Sequence, residues 1–112
     1  MRQGDRSGIE DPARLLLVAE WGGEVVGHLA GVVAEGSAMR PLKVATLLSL
    51  YVRRAHRGAR TGARLVAAFR DWAREQGAQR AEVTAYAASQ DAIRFYERNG
   101  FGAYTLTLGQ SL

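Results

Sequence analysis

The chain has 112 residues, no cysteine and a formal charge of +4, with a pI near 10.1. That size fits one domain with a modest core, and the missing cysteines exclude a disulfide framework and a thiolate metal site. No apolar run reaches membrane-spanning length and Met1-Arg2-Gln3-Gly4-Asp5 opens no apolar signal region, so a cytoplasmic protein is expected.

Residues 1–13 are polar, carry Gly4, Gly8 and Pro12, and read as an irregular lead-in to a domain spanning 14–112. Arg14 to Trp21 is a strand-like run. Gly22-Gly23 then separates it from a second run, Glu24 to Ala34, which is the signature of a two-residue hairpin. Alternation in the second run places Val25, Leu29 and Val33 on one face and Val26, His28, Ala30 and Val32 on the other. Both faces are apolar, so helices are expected to cover both.

Glu35 to Pro41 is a loop, and Lys43 to Val52 a third strand. The apolar stripe Leu65, Val66, Phe69, Trp72 and Ala73 predicts a helix over Gly62–Gln76, stopped by Gly77. Arg80 to Ala87 reads as a strand parallel to the third one, because a helix connects them. Asp91 to Arg98 is a short helix with Ser89 or Asp91 as N-cap and Gly100 past its end. Phe101 to Leu108 alternates well enough for a final strand. The predicted order is β-β-β-α-β-α-β, an α/β (α+β) fold with a mixed, mainly antiparallel sheet flanked by helices.

Chemistry concentrates where the third strand runs into the first helix. Arg53, Arg54, Arg57, Arg60 and Arg64 crowd a short loop that also holds Gly58 and Gly62. The first N–H groups of a helix lack intrahelical partners and sit at the positive end of its dipole, so this junction suits a phosphate or pyrophosphate. It has no Gly-Lys-Ser/Thr end and is not a G-x-G-x-x-G fingerprint. A basic patch also suits nucleic acid, but interleaved aromatics are missing, so that reading ranks below a polyanionic cofactor. The histidines, His28 and His56, lack ligand spacing, so no metal is expected. His28 on its apolar face reads as structural and His56 as a solvated loop residue.

Arg57 to Gly62 resembles the acyl-CoA loop of the GNAT (Gcn5-related) N-acetyltransferases, Arg/Gln-x-x-Gly-x-Gly/Ala, with Arg60 in place of the central Gly. Ser89 to Phe101 resembles that family's second hallmark, Asn-x-x-Ala-(apolar)-x-Phe-Tyr-x-x-x-Gly-Phe. Ala92, Ile93, Phe95, Tyr96, Gly100 and Phe101 match it, and Ser89 stands where Asn is usual.

The resemblance implies acetyl transfer from acetyl-CoA by direct attack of a small-molecule or protein amine. It assigns the pyrophosphate to Arg57, Gly58, Ala59, Arg60, Thr61, Gly62 and Ala63, and the pantetheine arm to Leu50 and Val52 with Ser89 as an added donor. It places an oxyanion donor at the backbone near Leu50 or Tyr51. Tyr96 becomes the acid that reprotonates the leaving thiolate. Arg60 is expected to hold right-handed helical angles.

Many relatives carry a carboxylate on the third strand, but Leu48 and Ser49 occupy those places here. Glu20, Glu82, Tyr51 and water remain as candidate bases, and a non-catalytic acyl-CoA-binding domain is the alternative. About fourteen polar residues precede Leu15, where the family has a strand and two helices. Either that wall is missing, or a second subunit supplies it, or the chain is a fragment; an exposed apolar face would favour a homodimer.

Overall fold

The computed structural model describes residues 2–3, 11–39 and 41–112. In chain order the elements are β1 (Arg2–Gln3), β2 (Arg14–Trp21), β3 (Glu24–Ala34), β4 (Val44–Val52), a 3₁₀ helix (Arg54–Ala59), α1 (Thr61–Glu75), β5 (Arg80–Val83) and α2 (Gln90–Arg98). One sheet runs β1-β2-β3-β4-β5. Its pairs are antiparallel except β4–β5, which is parallel as its helical connection requires. This is the mixed, mainly antiparallel sheet with helices that the pattern predicts.

The β2–β3 hairpin forms because Gly22 and Gly23 both take positive φ, 61° and 84°, the backbone that a two-residue turn between right-twisted strands needs. Two bulges then break the alternation. Between Ala19 and Glu20 the register slips, so Gly27 faces Ala19 while Val25 faces Glu20. The slip reverses the expected faces near the turn: Val26 is buried at 2% and Val25 is 53% exposed. The second bulge lies between Ala30 and Gly31, which pair with Ser49 and Leu47 and leave Leu48 as the extra residue, exposed.

The core lies between α1 and one face of β2, β3 and β4. Phe69, Leu29, Leu65 and Val66 are fully buried, each side chain contributing roughly 1.5–3 kcal/mol by leaving water. Gly31 admits the largest of them, since a Cβ there would come within 2.9 Å of Phe69 Cε1. On the opposite face Leu16, Val18, His28, Ala30, Val32 and Thr46 are only partly buried. No described helix seals it, so the expectation of helices on both faces is corrected. The second helix leans on α1 instead: the Arg70 guanidinium donates to the Asn99 carbonyl, and the Phe95 ring lies against Gly62.

Three further expectations change. Arg2–Gln3 pairs with β2, so the lead-in is not wholly irregular, and most of the rest of it, residues 4–10, lies outside the described residues. The strand expected over Arg80–Ala87 ends at Val83. The strand expected over Phe101–Leu108 is absent. Alternation yields a strand only where a neighbour offers a hydrogen-bond ladder and a surface takes the apolar side. Here Leu106 and Leu108 stay exposed, and Tyr104 stacks on the Arg80 guanidinium at 3.4 Å.

Candidate active site at the end of β4

The shortness of β5 creates the site. Parallel pairing joins Val44–Leu47 to Arg80–Val83 and stops there, while β4 continues to Val52. From Leu48 to Val52 the strand therefore pairs only with β3, and its outer edge is open. Backbone groups on such an edge can pair with an extended ligand as with an added strand. The Val52 carbonyl is already engaged, by Arg57 Nε at 2.8 Å, which leaves the stretch before it to do so. Leu50 is half-buried against the core, and Tyr51 is exposed.

Beyond Val52 the chain turns through the 3₁₀ helix into α1. His56 N donates to the Arg53 carbonyl at 2.8 Å, and Arg53 N donates to Val26 at 2.8 Å, which fixes the turn on the sheet. An Arg53–Glu24 ion pair at 3.2 Å ties it to the hairpin. The start of α1 carries no side-chain cap and no acidic residue in its first turn. Its first N–H groups are orphan donors at the positive end of the helix. Arg54, Arg60 and Arg64 are exposed around it and make no ion pair among the described residues. A Cβ at Gly58 would meet nothing within 4 Å, so the space beside that backbone is open to a ligand.

Arg60 departs from expectation. It caps α1 with φ 64° and ψ 14°, in the left-handed region, at the junction between the 3₁₀ helix and α1. The Gly usual at this place in the resembled motif is explained by that geometry. Gly62 has a packing reason instead: a Cβ there would lie 3.1 Å from Phe95 Cε1 and Cζ, so its bareness lets α2 close on α1. Thr61 is buried and Ala63 half-buried in the same turn, while Ala59 contributes backbone to the 3₁₀ helix.

Tyr96 sits half-buried in an aromatic trio, 5.3 Å from the Phe95 ring and 5.7 Å from Phe101, both edge-on. Burial pushes its phenol above the ordinary tyrosine pKa, so the hydroxyl stays protonated and able to donate. Ser89 is N-cap of α2 without its hydroxyl bonding the helix, and it is exposed. Among the proposed bases, Glu82 pairs with Arg80 at 2.9 Å and faces Thr46, on the paired half of β4. His28, read as structural, lies on the partly buried face with Ala30 and Val32, as the alternation predicts. His28 is opposite Tyr51 in the register, with ring centroids 5.8 Å apart. Sequence reasoning could pair them only by knowing the β3–β4 register, which the bulge resets.

An open strand edge leading into a basic, uncapped helix start is a geometry suited to an extended ligand that ends in an anion. The chain belongs to the acetyltransferase (GNAT) family, whose model matches residues 2–101. Among solved structures, it is similar to a transcriptional regulator from Bacillus halodurans C-125, at 30% identity and TM-score 0.80, covering 93% of this chain and 69% of that one. A glucosamine-6-phosphate N-acetyltransferase from Arabidopsis thaliana shares the fold at 15% identity and TM-score 0.75, covering 89% and 67%. An aminoglycoside N-acetyltransferase in complex with CoA does so at 14% identity and TM-score 0.79, covering 89% and 76%. Among curated proteins none matches the sequence significantly.

Proposed function

We propose that this chain is an acetyl-CoA-dependent N-acetyltransferase acting on a primary amine of a small molecule or a protein. The observation that carries it is the open edge of β4 from Leu48 to Val52, which runs straight into the uncapped start of α1. Those features fit the two halves of CoA: an extended arm with amides, and a pyrophosphate. A solved neighbour that shares the fold holds CoA.

On this reading the backbone of Gly58, Ala59, Thr61, Gly62 and Ala63 holds the pyrophosphate, with Arg57 and Arg60 adding charge. The backbone of Leu50 and the N–H of Val52, whose carbonyl is held by Arg57, align the arm, Ser89 adds a donor, and the backbone near Tyr51 stabilises developing negative charge. Acetyl-CoA supplies the acetyl group, activated as a thioester. Tyr96 holds a proton on Oη and gives it to the departing sulfur. The domain is taken as residues 14–112, in a cytoplasmic protein, with the partly buried sheet face favouring a homodimer.

Acetyl-CoA binding only the folded state would stabilise it by about 2.7 kcal/mol at a hundred times Kd. A thermal-shift titration should show that rise, and Arg57→Ala should weaken it. Thiol release should follow on adding one member of a primary-amine panel. A melting point unmoved by acetyl-CoA would overturn the proposal.

A further inference from the structure

We propose that His28 accepts the proton of the attacking amine, an inference that rests on the acetyltransferase reading above. The register sets it directly across from Tyr51, and opposed residues of antiparallel strands hold their Cβ atoms about 5 Å apart. Tyr51 belongs to the stretch of β4 whose outer edge is open. The helix α1 covers the other face of the sheet, where Leu15, Leu17, Leu29 and Leu47 are buried. Phosphates held at the start of α1 and an amine arriving over His28 would therefore meet the thioester from opposite sides of the sheet.

The chemistry of the neighbours narrows the choice. Glu82 is bound to Arg80 and Glu24 to Arg53, while Leu48 and Ser49 carry no titratable group. The His28 ring and the Tyr51 hydroxyl make no hydrogen bond among the described residues, so both are available to an incoming ligand. Imidazole is also the side chain that exchanges protons near neutral pH. Facing His28 are Tyr51 from β4, with the Arg57 guanidinium 6.0 Å from its ring centre. From β2 come Val18, directly opposite, and Glu20 on the same face two residues further on.

The step balances without any added reactant. The amine nitrogen bonds to the acetyl carbon as the carbon–sulfur bond breaks, its electron pair leaving on sulfur. One proton passes from nitrogen to the His28 imidazole and one from Tyr96 Oη to sulfur. Solvent then carries a proton from the imidazolium back to the phenolate, giving an amide and a free thiol.

The chain has only two histidines, so His56→Gln assigns both imidazole resonances. The midpoint of the His28 Cε1–H shift in the free protein should coincide with the acidic limb of kcat/KM against pH, measured with the panel amine that turns over fastest. That profile reports groups of the free enzyme. His28→Gln, and His28→Asn as a second variant, should lose the limb and about a hundredfold or more in kcat, with CoA affinity by calorimetry unchanged. Variants that bind CoA, turn over and keep the limb would overturn the role of His28 alone. A wild-type chain that binds no CoA, or binds it and acetylates no amine, would overturn the transferase reading along with it.

Discussion

Replacing Arg60 by glycine should stabilise the protein, and replacing it by alanine should recover only a small part of that gain. Arg60 is the sole non-glycine residue with positive φ among the described residues, at 64°. Holding an L-residue in the left-handed region costs about 1–2 kcal/mol. Glycine removes that cost, offset by about 0.5–1 kcal/mol for its greater freedom in the unfolded chain. Alanine keeps the Cβ and so keeps the strain. Both substitutions also remove a cation from the positive end of α1, a relief of about 0.3 kcal/mol at an exposed, salt-screened site. Taking the middle of each range, Arg60→Gly should exceed Arg60→Ala by about 0.7 kcal/mol. Urea unfolding with unchanged m-values reads this directly, and repeating it at high salt removes the electrostatic share from both. Equal stabilities for the two variants would refute the argument, because they would mean that the backbone at this position carries no strain. CoA affinity should fall for both variants alike, since both lose the charge.

The two loop glycines should separate in the same assays. Gly58→Ala should gain about 0.4–1 kcal/mol from the stiffer unfolded chain, because its Cβ would meet nothing within 4 Å, while weakening CoA binding. Gly62→Ala should overpack against Phe95, at about 1–3 kcal/mol, offset by about 0.5–1 kcal/mol that Ala gains over Gly in a helix. The net loss should be about 1 kcal/mol, and Phe95→Leu in the same chain should restore part of it. The folded-state pKa of Tyr96 is raised by burial. Its contribution to stability is therefore fully present below the unfolded tyrosine value of 10.0 and is lost as pH rises through the folded one. Tyr96→Phe should flatten the fall in stability on the alkaline side, seen by urea unfolding at stepped pH. It should also lower kcat about a hundredfold with CoA affinity retained.

Much of this protein follows from neighbours close in the chain. Gly22-Gly23 between two apolar runs specifies the hairpin, because glycine freely takes the positive φ that both positions adopt and that matches the twist of the strands. The stripe from Leu65 to Ala73 specifies α1, and Gly77 and Gly100, at φ 80° and 95°, end the two helices. The arginines and glycines after Val52 mark a candidate anion site because a helix start supplies donors wherever it occurs.

What the tertiary structure decided is set by pairing between distant segments. Whether Val25 or Val26 points inward depends on a register slip that no local pattern encodes. The same alternation that makes β2 a strand leaves Phe101–Leu108 without one, for want of a ladder beside it. The site itself depends on a mismatch in length: β5 stops at Val83 while β4 runs on to Val52, and only the paired sheet turns that difference into an open edge. His28 gains its place beside Tyr51 in the same way. Sequence fixes which residues carry chemistry, but backbone hydrogen bonds across the sheet decide which of them meet.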